Sequence, residues 1–226
     1  MGGNIDGESS KAVAASLTLP ISERFGVQFD GAFGEIDDDD LKGGAVHLFA
    51  RDPQSYLFGL TGLYAELEDT ALERYGIETE GYFGLFTIAA AGGYQGGDID
   101  DSTYGSLDLR YYPLENLMVT VGGSIADSDD SKAHIGAEYQ VIGGLALFAD
   151  LAAGENDYEH ILGGIRYYFG AEKALIKRHR EDDPLNSVLT GVIGGHGSLL
   201  ADRSLAAAVL DTPSDSGGDT PPIGSD

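Results

Sequence analysis

Histidine and serine are the residues of this sequence best suited to acid–base or nucleophilic chemistry. Three histidines lie on the side of their segments that is predicted to face the interior of the fold: His47, His134 and His160. Hydrolases use a histidine beside a serine to activate a nucleophile. The sequence has no Gly-x-Ser-x-Gly element, no metal-spaced histidine pair and no phosphate-binding loop. We therefore predict a protein that is not an enzyme and has no metal or cofactor, with a membrane-barrel hydrolase as an alternative. The candidate serines of that alternative are Ser102, Ser106 and Ser131.

Ten charged residues on the same predicted face form the main candidate site, a charged network that lines the lumen. Isolated charges are costly to bury, so such side chains must pair with one another or meet water. Two interpretations follow: a structural salt-bridge network that fills the interior, or the polar lining of a narrow pore. Because both signs of charge are mixed, the set indicates no ion preference. The ten residues are Asp30, Arg51, Arg74, Glu78, Glu80, Asp108, Arg110, Glu138, Asp150 and Arg166.

The segments that carry these residues are predicted to be strands, because apolar and polar residues alternate along them with a period of two. Phe25, Val27, Phe29 and Phe33, for example, share one face of their segment. Strands of about ten residues with one apolar face are the sequence signature of a transmembrane barrel. Eleven such segments lie at about 11–20, 24–35, 42–51, 55–66, 72–82, 85–95, 102–112, 117–126, 131–141, 144–153 and 158–169.

The connections between these segments alternate between short ones, such as 113–116, and acidic ones, such as 36–41, which we predict to be longer loops. Outer-membrane barrels have short periplasmic turns and longer external loops. That pattern predicts a periplasmic C-terminus and an external loop at residues 4–10. Single-chain bacterial barrels also have an even number of strands. We therefore expect an all-β, antiparallel up-and-down transmembrane barrel of twelve strands, whose first strand and export signal precede Met1. The rival is a ten-stranded barrel with 11–20 outside the wall.

Composition excludes several other classes of protein. A net charge of −25 argues against a nucleic-acid partner, since such proteins need a basic surface. With no cysteine, the chain has no disulfide or thiolate site. No apolar run approaches the roughly 18 residues of a spanning helix. The acidic block at 127–130 lacks the glycine and distal glutamate of a calcium-binding EF-hand loop. Acidic external loops would disfavour anions.

The last strand ends in Arg166-Tyr167-Tyr168-Phe169. With this ending and the strand pattern, the chain resembles the proteobacterial outer-membrane β-barrel, porin-like proteins over about residues 4–170. The resemblance implies a place in the bacterial outer membrane, among its lipids. It also implies that the barrel-assembly machinery reads an aromatic signal, here Tyr167 and Phe169. The function it implies is that of a structural barrel or a narrow porin-like channel for small polar solutes. In this chain a tail follows the signal, whereas the family has that aromatic residue at or near its C-terminus.

The sequence predicts two parts: a barrel over 1–170 and a periplasmic tail over 171–226 that is basic at first, then of low complexity and largely disordered. The basic residues near its start, among them Arg178 and Arg180, are expected to be solvated or to contact lipid headgroups. Residues 199–210 could form a short helix. A soluble or surface-assembled β protein with no transport role is the second alternative, because the chain has no tryptophan for an aromatic girdle. Aromatic residues near strand ends that could supply one are Phe25, Phe33, Tyr75, Tyr111, Tyr139 and Tyr167.

Overall fold

The structure, a computed structural model, is a closed barrel of twelve strands, which confirms the predicted fold class. Each strand pairs antiparallel with its neighbour in sequence, and β1 pairs with β12. The structure describes residues 1–99, 101–126, 130–155 and 158–182. The strands are β1 (Gly2–Ile5), β2 (Glu8–Pro20), β3 (Phe25–Ile36), β4 (Asp39–Asp52), β5 (Tyr56–Leu67), β6 (Thr70–Phe83), β7 (Phe86–Gly97), β8 (Ser102–Leu114), β9 (Leu117–Ala126), β10 (Asp130–Ile142), β11 (Leu145–Gly154) and β12 (Glu159–Tyr167).

The first strand lies where the sequence predicted a loop. Gly2–Ile5 form β1, which pairs with β12 on one side and β2 on the other, so the loop predicted at residues 4–10 is wrong. The twelfth strand is β1 itself rather than a strand before Met1, and residues 11–20 belong to β2 in the wall, so the missing first strand and the ten-stranded rival are wrong as well. Only Asp6 and Gly7 connect β1 to β2, both with positive φ, of 52° and 91°. A strand of four residues is too short for alternation to be visible. Its pairing with β12 also depends on residues near the other end of the described chain, about 160 positions away in the sequence.

The outward face of the wall exposes large apolar side chains. On three consecutive strands Leu109, Val121 and Ile135 lie side by side, and they are 47%, 56% and 49% exposed. Water would disfavour such a continuous face, whereas lipid hydrocarbon matches it. Exposed aromatic rings lie toward both ends of the strands, as the girdle interpretation expects: Phe33, Tyr64, Tyr75 and Tyr94 at one end, and Phe25, Tyr56, Phe83, Phe86, Tyr111, Tyr139 and Tyr167 at the other.

The two ends of the barrel differ in charge but not in loop length, so the prediction of longer acidic loops is wrong. The acidic end carries the connections at 6–7, 37–38, 68–69, 98–101, 127–129 and 155–158, and the helix end those at 21–24, 53–55, 84–85, 115–116 and 143–144. Both ends therefore have connections of two to four residues. Asp37 and Asp38 adopt φ of 46° and 76°, as a two-residue hairpin turn requires. Aspartate tolerates this region better than most residues, so an acidic run can form a tight turn.

The larger hydrophobic cluster lies inside the barrel toward the acidic end, and a smaller one of Phe49, Leu57 and Tyr82 lies toward the helix end. In the larger cluster, inward side chains of neighbouring strands meet, and Leu72 is fully buried among them. This apolar cluster narrows the lumen at the acidic end. Its large members are Ile5, Ile36, Leu41, Leu67, Leu72, Ile99, Tyr158 and Leu162.

A short helix follows the last strand. After Gly170, whose φ is +97°, the chain turns back and forms α1 (Leu175–Glu181). Within the described residues, no helix is long and apolar enough to cross a membrane. The prediction that the start of the tail is solvated is wrong for Arg178, which is 2% exposed. Residues 183–226, with the helix predicted at 199–210, lie outside the described residues, so their disorder stays a prediction.

Candidate functional site

The ten predicted charged residues all lie on the inward face of the wall. Asp30, Arg74, Glu78, Glu80, Asp108, Arg110 and Glu138 are buried, and Arg51, Asp150 and Arg166 are half-buried. Period-two alternation places them there, because in each strand the outward positions are taken by apolar side chains. Alternation does not give the pairing partners, which depend on the register between strands.

His47 on β4 bridges two of the predicted carboxylates. Its Nδ1 lies 3.0 Å from Glu78 Oε1 on β6, and its Nε2 lies 3.1 Å from Asp30 Oδ2 on β3. Ionised carboxylates only accept hydrogen bonds, so an imidazolium, which donates from both nitrogens, satisfies both contacts. Gln28 extends the line: it donates to Asp30 at 3.0 Å and accepts from Thr18 on β2 at 2.7 Å.

His134 on β10 forms a second bridge of the same kind. Its Nε2 lies 3.0 Å from Asp108 Oδ1 on β8, and its Nδ1 lies 3.0 Å from Asp150 Oδ2 on β11. Asp150 also contacts His160 Nε2 on β12 at 2.7 Å, and His160 Nδ1 lies 2.7 Å from the Tyr158 hydroxyl. The sequence identified both histidines as inward but did not identify them as carboxylate bridges.

Each bridge passes over an intervening strand, and a glycine makes room for it. A Cβ at Gly59 on β5 would lie 2.8 Å from Glu78 Oε1, and one at Gly122 on β9 would overlap Asp108 Oδ1. Any larger residue at Gly122 would thus displace the Asp108–His134 contact, whose Nε2 atom would lie 2.5 Å from the added Cβ. These two glycines are the signal of the bridges in the sequence. The signal can be interpreted only when the register between the neighbouring strands is known.

The arginines make the remaining links along the wall. Arg110 Nη1 donates to Glu80 Oε1 at 2.6 Å, and Arg166 Nη1 donates to Glu138 Oε2 at 2.7 Å. Arg74 donates to the amide oxygen of Gln95 at 2.6 and 3.0 Å. The Arg51 guanidinium lies 5.3 Å from the centre of the Phe49 ring. Each of these hydrogen bonds joins two neighbouring strands, or two strands with one other strand between them, so the side chains run along the wall.

The three candidate histidines are not arranged as hydrolase bases. Both ring nitrogens of His47 and of His134 face carboxylates, and those of His160 face a carboxylate and a phenol. A serine would have to displace one of these partners to reach a ring nitrogen. Ser102 accepts a hydrogen bond from the amide nitrogen of Gln95 at 3.0 Å. In the described part of the chain, no group of three or more His, Cys, Asp or Glu side chains is placed to hold a metal ion.

Tyr167 and Phe169, the predicted assembly signal, are outward and exposed, at 58% and 87%. Their rings lie edge to face with centroids 4.9 Å apart. Tyr168 between them points inward, and its hydroxyl donates to Glu138 Oε1 at 2.7 Å. An exposed aromatic pair at the end of the last strand is accessible to a binding partner, and its recognition stays a prediction.

Comparison with known proteins supports the fold. No family model and no curated protein matches the sequence. Among solved structures, the KdgM porin matches with a TM-score of 0.63 at 8% identity, covering 75% of this chain and 96% of its own. The NanC porin gives 0.57 at 6%, covering 74% and 98%. Outer membrane phospholipase A from Escherichia coli gives 0.51 at 10%, covering 71% and 80%. At such low identity the likeness shows the fold alone, the closed β-barrel that these outer-membrane proteins share.

Proposed function

We propose that this chain is a porin-like barrel of the bacterial outer membrane that conducts small polar solutes through a narrow lumen. The observation that carries the proposal is the contrast between the two faces of one closed wall. The outward face is apolar and exposed, and the middle of the inward face carries several groups of paired charges. Membrane-spanning strands must satisfy every backbone group within a closed sheet, which a barrel of twelve strands does.

The lumen supports a narrow passage rather than a wide one. Eight-stranded barrels are filled by side chains and those of about sixteen strands leave an aqueous channel, so twelve strands lie between these limits. Hydrogen bonds hold the charged side chains along the wall, and seven of the ten are buried, so the free cross-section beside them is small. The apolar cluster around Leu72 then sets the upper limit on solute size. The KdgM porin has been solved in complex with disordered oligogalacturonate, which supports polar solutes as the class.

The negative charge of the acidic end supports selection against anions. It also supports an orientation in which that end faces the outside of the cell. Asp39 raises the pKa of the nearby Glu68 carboxyl above its ordinary value, because the two groups repel and share a hydrogen bond. A mouth with this field repels incoming anions. In this orientation the helix end and the tail face the periplasm.

The test is to refold the full chain in detergent, compare unboiled and boiled samples on a gel, and then measure conductance in planar bilayers. We expect the unboiled form to migrate faster, and small conductance steps that carry cations better than anions. A heat-modifiable barrel without conductance in any condition would instead establish the structural-barrel interpretation. Equal migration of the two samples would contradict the membrane barrel itself. Vesicles loaded with sugars of graded size would give the size limit.

We further propose that Tyr167 and Phe169 are the signal for the barrel-assembly machinery. Substitution Phe169→Ala removes an 87% exposed ring that contacts mainly its exposed neighbour. We expect less folded protein in the membranes of cells, measured as the heat-modifiable fraction, but normal refolding in detergent. Ile142→Ala is the matched control, since Ile142 is 74% exposed at the same end of the barrel. Equal losses for both variants would contradict a signal at Phe169.

A further inference from the structure

The short helix α1 lies at the helix end of the barrel and follows β12 after a connection at residues 168–174. Its first turn binds the turn between β8 and β9: the Ile176 N–H donates to Glu115 O at 3.0 Å, and the Leu175 N–H approaches Asn116 Oδ1 at 3.4 Å. Leu175 is fully buried by this contact. The carbonyl of Lys173, just before the helix, accepts from the side chain of Gln140 on β10 at 3.0 Å. The start of α1 is therefore fixed to the β8–β9 turn and to the neighbouring end of β10.

The second turn of α1 reaches into the lumen through His179, which is 2% exposed. Its Nδ1 lies 3.0 Å from the hydroxyl of Tyr112 on β8, and its Nε2 lies 2.8 Å from the hydroxyl of Tyr168, just after β12. Nε2 also lies 3.7 Å from Glu138 Oε2 on β10. The imidazole thus connects α1 to the Arg166–Glu138 pair of the charged network. No sequence pattern pointed to His179, because its partners come from three separate segments.

Arg180 carries the contact to the next part of the wall. Its Nη2 donates to Phe86 O at 3.0 Å and lies 3.2 Å from Thr87 Oγ1, both on β7. The guanidinium lies 5.0 Å from the ring centre of Tyr82 on β6 and 5.7 Å from that of Tyr112. With His179, these contacts extend from β6 to the end of β12. More than half of the circumference at the helix end is therefore joined through one helix.

Apart from the buried side chain of Leu175, the contacts that hold α1 are mainly hydrogen bonds, which water can replace. A helix of seven residues is not stable alone, so α1 forms because it is docked. When such polar contacts open, hydrogen bonds to water compensate most of the free energy that is lost. The apolar cluster at the acidic end is different, since its side chains belong to the strands themselves. α1 can leave the opening as a unit by rotation at Gly170, where φ is +97° and the backbone is unrestricted by a side chain.

We propose that α1 is a gate: docked, it closes the helix end of the lumen, and undocked, it opens that end to small polar solutes. This inference rests on the proposed function of the barrel. It assigns the closure to His179 and Arg180. The charged network is connected to the gate through Glu138, so a solute that binds there in place of His179 would favour the open state.

A reversible lock tests the gate. The chain has no cysteine, and the Ile176 N–H to Glu115 O contact of 3.0 Å brings the two backbones within reach of a disulfide. In the double variant Glu115→Cys with Ile176→Cys, oxidation holds α1 in place and reduction releases it. We expect conductance in the reduced protein and its loss on oxidation, with no redox effect in either single variant. Equal conductance in the oxidised and reduced double variant would overturn the proposal.

A second readout separates failure of the gate from failure of the channel. Met118 is half-buried on the inward face of β9 near the helix end, so Met118→Cys reports access to the lumen without any current. We expect a water-soluble thiol reagent to label the cysteine of Met118→Cys about tenfold faster when His179→Ala is added. Loss of two ordinary hydrogen bonds shifts the equilibrium between docked and undocked α1 by about this factor. Faster labelling with no conductance would overturn the channel but not the motion of α1. Unchanged labelling would overturn the gate, and Ser22→Ala, at a turn of the same end, is the control substitution.

Discussion

Val121 and Gly122 are neighbours on β9, and they show how differently the two faces of the wall are built. Val121 is 56% exposed and lies between Leu109 and Ile135 of the adjacent strands. Gly122 lies beneath the Asp108–His134 contact, where even one added carbon would overlap a carboxylate oxygen. The outward face requires only an apolar character, whereas the inward face requires particular shapes and hydrogen-bond partners. Substitutions on the two faces should therefore fail for different reasons.

The largest effect is expected from the inward face. His134→Leu leaves Asp108 and Asp150 facing an apolar side chain instead of the imidazole that contacts both at 3.0 Å. Breaking a buried charge pair by removing one partner costs about 3–5 kcal/mol, because the remaining charge is uncompensated. Denaturant unfolding of the protein in detergent measures the loss. The control is Ile135→Leu, on the outward face of the same strand. If both variants unfold like the original chain, the bridge does not stabilise the barrel.

On the outward face, the loss of stability caused by an added charge should depend on how deep in the membrane the residue lies. Val121→Arg places a guanidinium among apolar side chains near the middle of the wall, and we expect a loss of about 2–4 kcal/mol in the free energy of unfolding. Thr103→Arg, also outward but at the acidic end of β8, should cost only about 0–1 kcal/mol. Unfolding in lipid vesicles measures both. Equal values at the two depths would contradict a lipid-facing surface and favour the soluble alternative.

A smaller effect tests the shape requirement of the inward face alone, without changing charge. Gly122→Ala adds one carbon under the Asp108–His134 contact, and overpacking of this kind costs about 1–3 kcal/mol. Gly31→Ala is the control, because an added Cβ there meets nothing within 4 Å. We expect a lower denaturant midpoint for the first and no loss for the second. A larger loss of stability for Gly31→Ala than for Gly122→Ala would contradict the difference between the two faces.

Much of the fold could be predicted from the sequence, because each strand from β2 to β12 carries its own alternation. The segment predicted at 24–35, for instance, is β3 at Phe25–Ile36. β1 was missed because four residues show no period. The loop lengths predicted for the acidic end are wrong because aspartate, as in Asp37-Asp38, also suits a tight turn.

The candidate site could be predicted less well. Alternation identifies the face on which Asp108 or His134 lies, but the bridge between them depends on the register of β8, β9 and β10 and on a glycine in the middle strand. The docking of α1 depends on still more distant residues, since Tyr112 and Tyr168 become neighbours of His179 only when the barrel closes. Local periodicity contains no information on such contacts.

The central claim, a closed wall with lipid outside and polar contacts inside, can be measured most directly with single tryptophans. The chain has none of its own, so each inserted indole reports one position without background. Leu109→Trp and Val121→Trp are outward, and Phe148→Trp on β11 is inward and half-buried. In vesicles made with brominated lipids, we expect strong quenching of the two outward tryptophans and little of the inward one. Equal quenching at all three positions, or none at Leu109 and Val121, would contradict the transmembrane barrel.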